Sequence, residues 1–410
     1  MAIIAAFLDL EEGHSFALFR LLRRLKTGGH HVCCLGLPYV ERHVRDQGFD
    51  FIPIMEDLLP PVSWHSGIWQ SNYMGEGLRD FYFGPLARGE VLDGAMARLK
   101  PGVVILPCQY YIEGLLVYYR YQVPVVYFSA SLRAGNRQEA CQTVIANLLG
   151  LKSGGAEMLE LITRAGVNLG SLRDLPNLVL RMPELMAFPE AFDLPGRETD
   201  PGVYYIGTGA DLERTEQPFE WAGVDPVRPL IYCSLGSQSH LRKDVSRRFL
   251  QVVIDAAANH LEWQFIISIG KAFDAGDFTA VPANVILSGW VPQLEVLSRS
   301  TLMISHGGFG TVQECILMGV PMVIFPLLPE RDMDRCAERV VYHGLGVRGE
   351  IEQVSSVELG VLIEEVLRNK SFNERIGLMG EKFRQQDRLE VGVKVIELLV
   401  ATPSTRAALR

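Results

Sequence analysis

Short runs of β-branched and apolar residues alternate with longer segments of helical periodicity along most of the chain, and about halfway the alternation starts again. In the first half AIIAAFLDL, HVCCLGL, FIPIM, VVILP and VPVVYFSAS read as strands. Between the first two lies SFALFRLLRRLKTGG, with apolar residues at helical spacing, Arg20, Arg23 and Arg24 largely on another face, and glycines at its end. The second half repeats the rhythm in PLIYCSLGS, QFIISIG, NVILSGW, TLMISH and VPMVIFP, separated by VSRRFLQVVIDAAAN, LEVLSR and TVQECILMG. Such alternation is the mark of parallel α/β layers, and its restart predicts two doubly wound domains. The seam falls at roughly residues 205 to 229, where periodicity lapses and Pro, Gly and acids accumulate.

Composition agrees with two cores. The chain has 410 residues, 48% of them hydrophobic, and single cores rarely grow past about 250 to 300 residues. A formal charge of -9 with no long Lys/Arg run argues against a general nucleic-acid binder. Seven scattered cysteines, one adjacent pair at Cys33 and Cys34 and no CxxC, fit a reducing compartment, so a cytoplasmic location is expected. The N-terminal MAIIAAFLDLEEGH runs quickly into acids without a basic lead, as a buried first strand does and a signal peptide does not. No apolar stretch has membrane-spanning length.

One short segment carries a chemical signal, SHGGFGTVQE from Ser305 to Glu314. A strand ends before His306 and a helix is expected from Thr311, which places the glycines in a turn at the C-terminal edge of a parallel sheet, where this architecture binds ligands. Glycines admit close approach of a ligand to the backbone, and unpaired helix N–H groups favour an anion. The same residues also read as a capping box, Thr311 to Glu314, which satisfies the helix donors with no ligand. The turn matches neither G-x-G-x-x-G nor a P-loop.

Its neighbours extend the signal. GWVPQLEVL, Gly289 to Leu297, lies upstream and MGVPMVIFPLLPERDMD, Met318 to Asp334, downstream. In this order the motifs resemble those of the nucleotide-sugar-dependent glycosyltransferases of family 1. The resemblance implies the GT-B fold, two Rossmann-like doubly wound domains facing a central cleft. It implies a donor linked to UDP or dTDP as co-substrate, no other cofactor and no metal. Trp290 would stack on the base, the Val291 backbone would read its edge, and Gln293 would lie near the ribose, whose hydroxyls Glu314 would take. His306, Gly308, Gly310 and Thr311 would hold the diphosphate, with Gly236 and Ser237 of IYCSLGSQ facing it from the other side.

The resemblance further implies boundaries: an acceptor-binding domain over 1–210, a linker over 211–228, a donor-binding domain over 229–385, and a C-terminal helix in 386–410 that packs back on the N-terminal domain. His14, in EEGHSFALFRLL, matches the family's general base, and an imidazole suits proton removal at neutral pH. The aspartate that commonly orients it falls at Pro107, leaving Glu113, Glu11 or Glu12 as replacements. At the pair that usually binds the sugar stand Glu330 and Arg331; Arg331 suits an acidic sugar or else turns to solvent. Asp332 and Asp334 read as a solvated helix start.

The aromatic segment over residues 55–90, with Trp64 and Trp69, and the stretch Tyr127 to Leu149 are expected to line a site for a sizeable apolar acceptor such as a polyketide, terpenoid, carotenoid or phenolic. The function expected is an inverting O-glycosyltransferase, with a homodimer left open and neither nucleic acid nor membrane insertion as a partner. The alternatives are a degenerate, non-catalytic GT-B protein and a UDP-sugar epimerase.

Overall fold

The computed structural model describes residues 1–8, 12–54, 86, 88–133, 135–149, 159–160, 162–196, 200–329 and 332–402, the side chains of 12–14 and 144–149 excepted. The chain divides into two compact units, Met1–Ala187 with Glu198–Ile206 and Glu390–Arg410, and Phe188–Arg197 with Gly207–Leu389.

The first unit is built on a seven-stranded sheet in the order β3-β2-β1-β4-β5-β6-β7. Its strands are β1 (Ile3–Phe7), β2 (His31–Gly36), β3 (Asp50–Pro53), β4 (Val103–Pro107), β5 (Val125–Ser129), β6 (Glu184–Met186) and β7 (Val203–Tyr205). Every pairing is parallel. Helices cover both faces of such a sheet, so strands like VVILP are apolar at consecutive positions and buried throughout. Neighbours in one strand serve opposite layers: Tyr127 joins the core that holds Leu115 and Leu116, and Phe128 the core that holds Leu18 and Leu22. The helix Glu12–Thr27 turns its leucines to that second layer and ends in a pair of hydrogen bonds, His30 to the Leu25 carbonyl and Gly29 to that of Lys26, the Schellman arrangement. The last helix, Val391–Ala401, also belongs to this unit, its Ile396 fully buried in the same layer as Leu18.

The second unit holds a six-stranded sheet ordered β10-β9-β8-β11-β12-β13. These are β8 (Leu230–Ser234), β9 (Gln264–Ser268), β10 (Val285–Ser288), β11 (Leu302–Ser305), β12 (Met322–Ile324) and β13 (Gly346–Arg348), again all parallel. Counted from β8, the order is that of a dinucleotide-fold sheet, with its reversal point between β8 and β11. The doubly wound architecture expected of both halves is therefore observed.

The boundaries differ from those expected. Residues 211–228 are no free linker but part of the second unit, whose main segment runs Gly207–Leu389. Polar contacts replace the missing apolar periodicity there. The Phe219 amide donates to Glu295 at 3.0 Å and the Asp225 amide to Gln264 at 2.9 Å, while Arg299 lies 3.9 Å above the Trp221 ring. A second departure is the strap Phe188–Arg197, which sequence order assigns to the first domain. It is assigned to the second unit, where Phe192 stacks on Phe309 and the fully buried Arg339 pairs with Asp193. Residues 386–389 close the helix Ser371–Arg388 of that unit rather than opening the final one.

Candidate functional site

β8 and β11 end level with each other, Ser234 opposite Ser305. Each terminal serine accepts a hydrogen bond from the backbone two residues on, Gly236 to Ser234 at 3.2 Å and Gly307 to Ser305 at 3.1 Å. A hydroxyl used in this way bends the chain sharply off the sheet. Two short turns thus stand side by side at the reversal point, the first ending in the exposed Ser237.

His306 fills the space between them. A Cβ placed on Gly236 would lie 2.5 Å from His306 Nε2, and one on Gly308 would lie 2.3 Å from the same atom. Gly236 is required twice over, since its φ of +69° is also unfavourable for other residues. Burial drives the imidazole pKa down to about 4, with the Ser234 backbone acting against the shift. The ring is therefore neutral at pH 7, and its buried Nδ1 has no hydrogen-bond partner. An unsatisfied buried donor or acceptor is costly unless something comes to meet it.

The helix that follows runs Phe309–Met318 with Gly308 as its N-cap and no side-chain cap. This corrects the capping-box reading: Thr311 lies in the first turn and Glu314 farther along, so neither closes the helix. The N–H groups of the first turn, Gly310 and Thr311 among them, are left for another partner. A Cβ at Gly310 would meet nothing within 4 Å, so the backbone there is open to approach.

Trp290 and Val291 follow β10 at the same sheet edge, Trp290 51% exposed and Val291 buried. Gln293 opens the short helix Gln293–Leu297 and bridges to the turn. Its Oε1 accepts from the Tyr232 hydroxyl at 3.3 Å, while its Nε2 donates to Thr311 Oγ1 at 3.3 Å and to Glu314 Oε2 at 2.6 Å. Tyr232 is pushed well above its usual range by burial, so it stays a neutral donor.

Glu314 has a partner that the sequence did not reveal. Arg214 Nη1 donates to its Oε1 and Nη2 to its Oε2 at 3.3 Å. Arg214 also donates from Nε to Glu216 at 2.9 Å, and Glu216 accepts from the Leu294 amide at 2.9 Å. Burial disfavours the arginine charge, yet the two carboxylates outweigh it and raise its pKa. Arg214 and Glu216 lie within residues 211–228, where charged residues without periodicity carry no sequence sign of burial.

Glu330 and Arg331 lie outside the described residues. Asp332 is the N-cap residue of the helix Met333–Tyr342, and Asp334 in its first turn pairs with Arg348 at 2.7 Å. No cluster suited to a metal occurs among the described residues.

In the first unit His14 falls in the opening turn of the helix Glu12–Thr27, its side chain outside the described set, as are Glu11 and residues 55–85. The next residue, Ser15, lines a small cleft with Leu18, Pro107, Gln109 and Phe128, again where the strand order reverses between β1 and β4. Glu113 is buried in the first turn of the helix Tyr111–Tyr121. Its charge is among those that act with burial to raise the Tyr127 phenol.

Two doubly wound units, one with a polar, glycine-walled turn at its reversal point, define a class of α/β proteins that bind ligands beyond their strand ends. The family model described as UDP-glucoronosyl and UDP-glucosyl transferase matches residues 185–390, and the chain belongs to that family. It is 29% identical over 221 residues to the NDP-glycosyltransferase YjiC of Bacillus subtilis, covering 53% of this chain and 54% of that one. It is 26% identical over 317 residues to the demethyllactenocin mycarosyltransferase of Streptomyces fradiae, covering 76% and 66% respectively. The chain thus spans about half to two thirds of the length of these relatives. The crystal structure of the glycotransferase of kitacinnamycin shares the fold at 24% identity and a TM-score of 0.78, covering 97% of this chain and 99% of the other. Among the described residues no helix is long and apolar enough to cross a membrane.

Proposed function

We propose that this protein moves a sugar from a nucleoside diphosphate sugar to a hydroxyl of a hydrophobic small molecule. The observation that carries the proposal is the turn at the end of β11. A neutral, buried imidazole with an unpartnered Nδ1 stands there beside a helix start that no side chain caps. Oriented N–H groups in a water-poor setting favour an anion, and a diphosphate is both substrate group and leaving group.

His306, the backbone at Gly308 and Gly310, Thr311 and Ser237 hold the diphosphate in this reading. Thr311 Oγ1 already accepts from Gln293, which leaves its proton free to point at phosphate. Trp290, half exposed just beyond the end of β10, offers a stacking face to the base, with the Val291 backbone at its edge. Glu314 takes sugar hydroxyl of the nucleoside, and Glu330 with Arg331 takes the transferred sugar.

The acceptor oxygen attacks the anomeric carbon while the bond from that carbon to the diphosphate breaks. The electron pair leaves with the nucleoside diphosphate and the hydroxyl proton passes to His14. Direct displacement inverts the anomeric centre. Charge on the leaving group is met by the helix end and N–H donors, so turnover is expected to continue in EDTA. The relatives' names support a natural product as acceptor, and the aromatic content of residues 55–90 supports an apolar one.

Calorimetry with UDP and dTDP, followed by turnover with an acceptor panel, tests the reading. His14→Ala is expected to keep nucleotide binding and lose turnover by about a hundredfold or more. Turnover that survives this substitution removes His14 as the base, and absence of any nucleotide binding removes the whole reading.

A further inference from the structure

Glu314 is expected to receive the sugar hydroxyls of the nucleoside, yet in the free protein most of its capacity is in use. An ionised carboxylate has about four acceptor sites. Three donors already reach this one: Arg214 Nη1, Arg214 Nη2 and Gln293 Nε2. The arginine is not free to swing away. Its Nε and Nη2 are tied to Glu216 at 2.9 and 2.8 Å, and Glu216 is itself fixed by the Leu294 amide at 2.9 Å. The group is buried, with Arg214 and Glu216 only 11% and 13% exposed and Glu314 only 7%. Moving the guanidinium off Glu314 would leave that carboxylate without a charge partner where water is scarce.

We propose that Arg214 is a specificity-determining residue. By occupying two acceptor sites of Glu314, beside the one that Gln293 uses, it leaves room for a single hydroxyl. The pocket therefore favours a nucleoside diphosphate whose sugar presents one hydroxyl, a 2′-deoxyribose, over one presenting the 2′,3′-diol of ribose. A ribose 2′-hydroxyl brought to the site finds no open acceptor, and a polar group buried without a partner lowers affinity. The proposal rests on the nucleotide reading of this turn given above.

The test is calorimetric titration of the full chain with UDP and with dUDP, which share a base and differ only at the 2′ position. The expected result is dUDP binding tighter by about fivefold or more. In Arg214→Met, which keeps length and loses the donors, the ratio is expected to fall toward one. Arg214→Lys, a point donor that reaches one site rather than two, should lie between and serves if the methionine variant fails to fold. A wild-type ratio below about fivefold overturns the proposal, as does such a ratio that persists unchanged in the Arg214 variants. Binding of neither nucleotide overturns the nucleotide site itself, whereas binding of both with equal affinity removes only the role given to Arg214.

Discussion

Burial makes His306 a neutral hydrogen-bonding group, and the same burial leaves a thermodynamic trace. Its folded pKa of about 4 lies below the ordinary histidine value, so between the two the unfolded chain binds a proton that the fold refuses. Stability should fall as pH drops from about 6.5 to 4, by up to about 3 kcal/mol from this group alone. In His306→Asn that portion of the pH dependence disappears, which urea denaturation at pH 7 and pH 4.5 can read as a difference from wild type. Equal slopes in the two proteins would show that the ring is not buried neutral. Gly308→Ala probes the same ring sterically, because its methyl would lie 2.3 Å from Nε2. Overpacking of this kind costs about 1 to 3 kcal/mol. Nucleotide affinity should drop with it by about tenfold or more, measurable on the folded fraction by calorimetry.

At the scale of elements, the strands are legible because both of their faces are buried, and consecutive apolar residues record that directly. Helix starts are less so. Thr311 with Glu314 looks like a cap, but the Ser305 hydroxyl holds the Gly307 amide and turns the chain early, so the helix begins at Phe309. With the start two residues earlier, Glu314 falls in the second turn of the helix, buried against Arg214. Trp290 shows the converse: an aromatic residue at the end of β10 that could have been core is half exposed. Trp290→Ala should accordingly leave stability within about 0.5 kcal/mol, as exposed substitutions do. It should weaken nucleotide binding by about 1 to 3 kcal/mol, the range for one stacked base. A thermal melt and a titration separate the two effects, and a large loss of stability with unchanged affinity would return Trp290 to the core.

For the whole molecule, the division into units depends on a short strap. Asp193 neutralises Arg339, fully buried, and Phe192 packs among Phe309, His343 and Phe383. Asp193→Ala removes the carboxylate hydrogen-bonded to that buried charge, leaving it Glu338 at 4.0 Å and the Arg335 carbonyl at 3.1 Å, and should destabilise the second unit by about 3 to 5 kcal/mol. Chemical denaturation followed by tryptophan fluorescence checks this, and a loss under about 1 kcal/mol would mean the strap is dispensable. Sequence alone determined the two doubly wound sheets, the glycine turn after β11 and the family, because strand burial, helical period and turn residues are patterns among near neighbours. Only the tertiary structure decided where the units divide and what Glu314 holds. Those outcomes rest on polar pairs between residues 100 and 146 positions apart, Arg214 with Glu314 and Asp193 with Arg339, and a pair so distant leaves no period in the sequence to read.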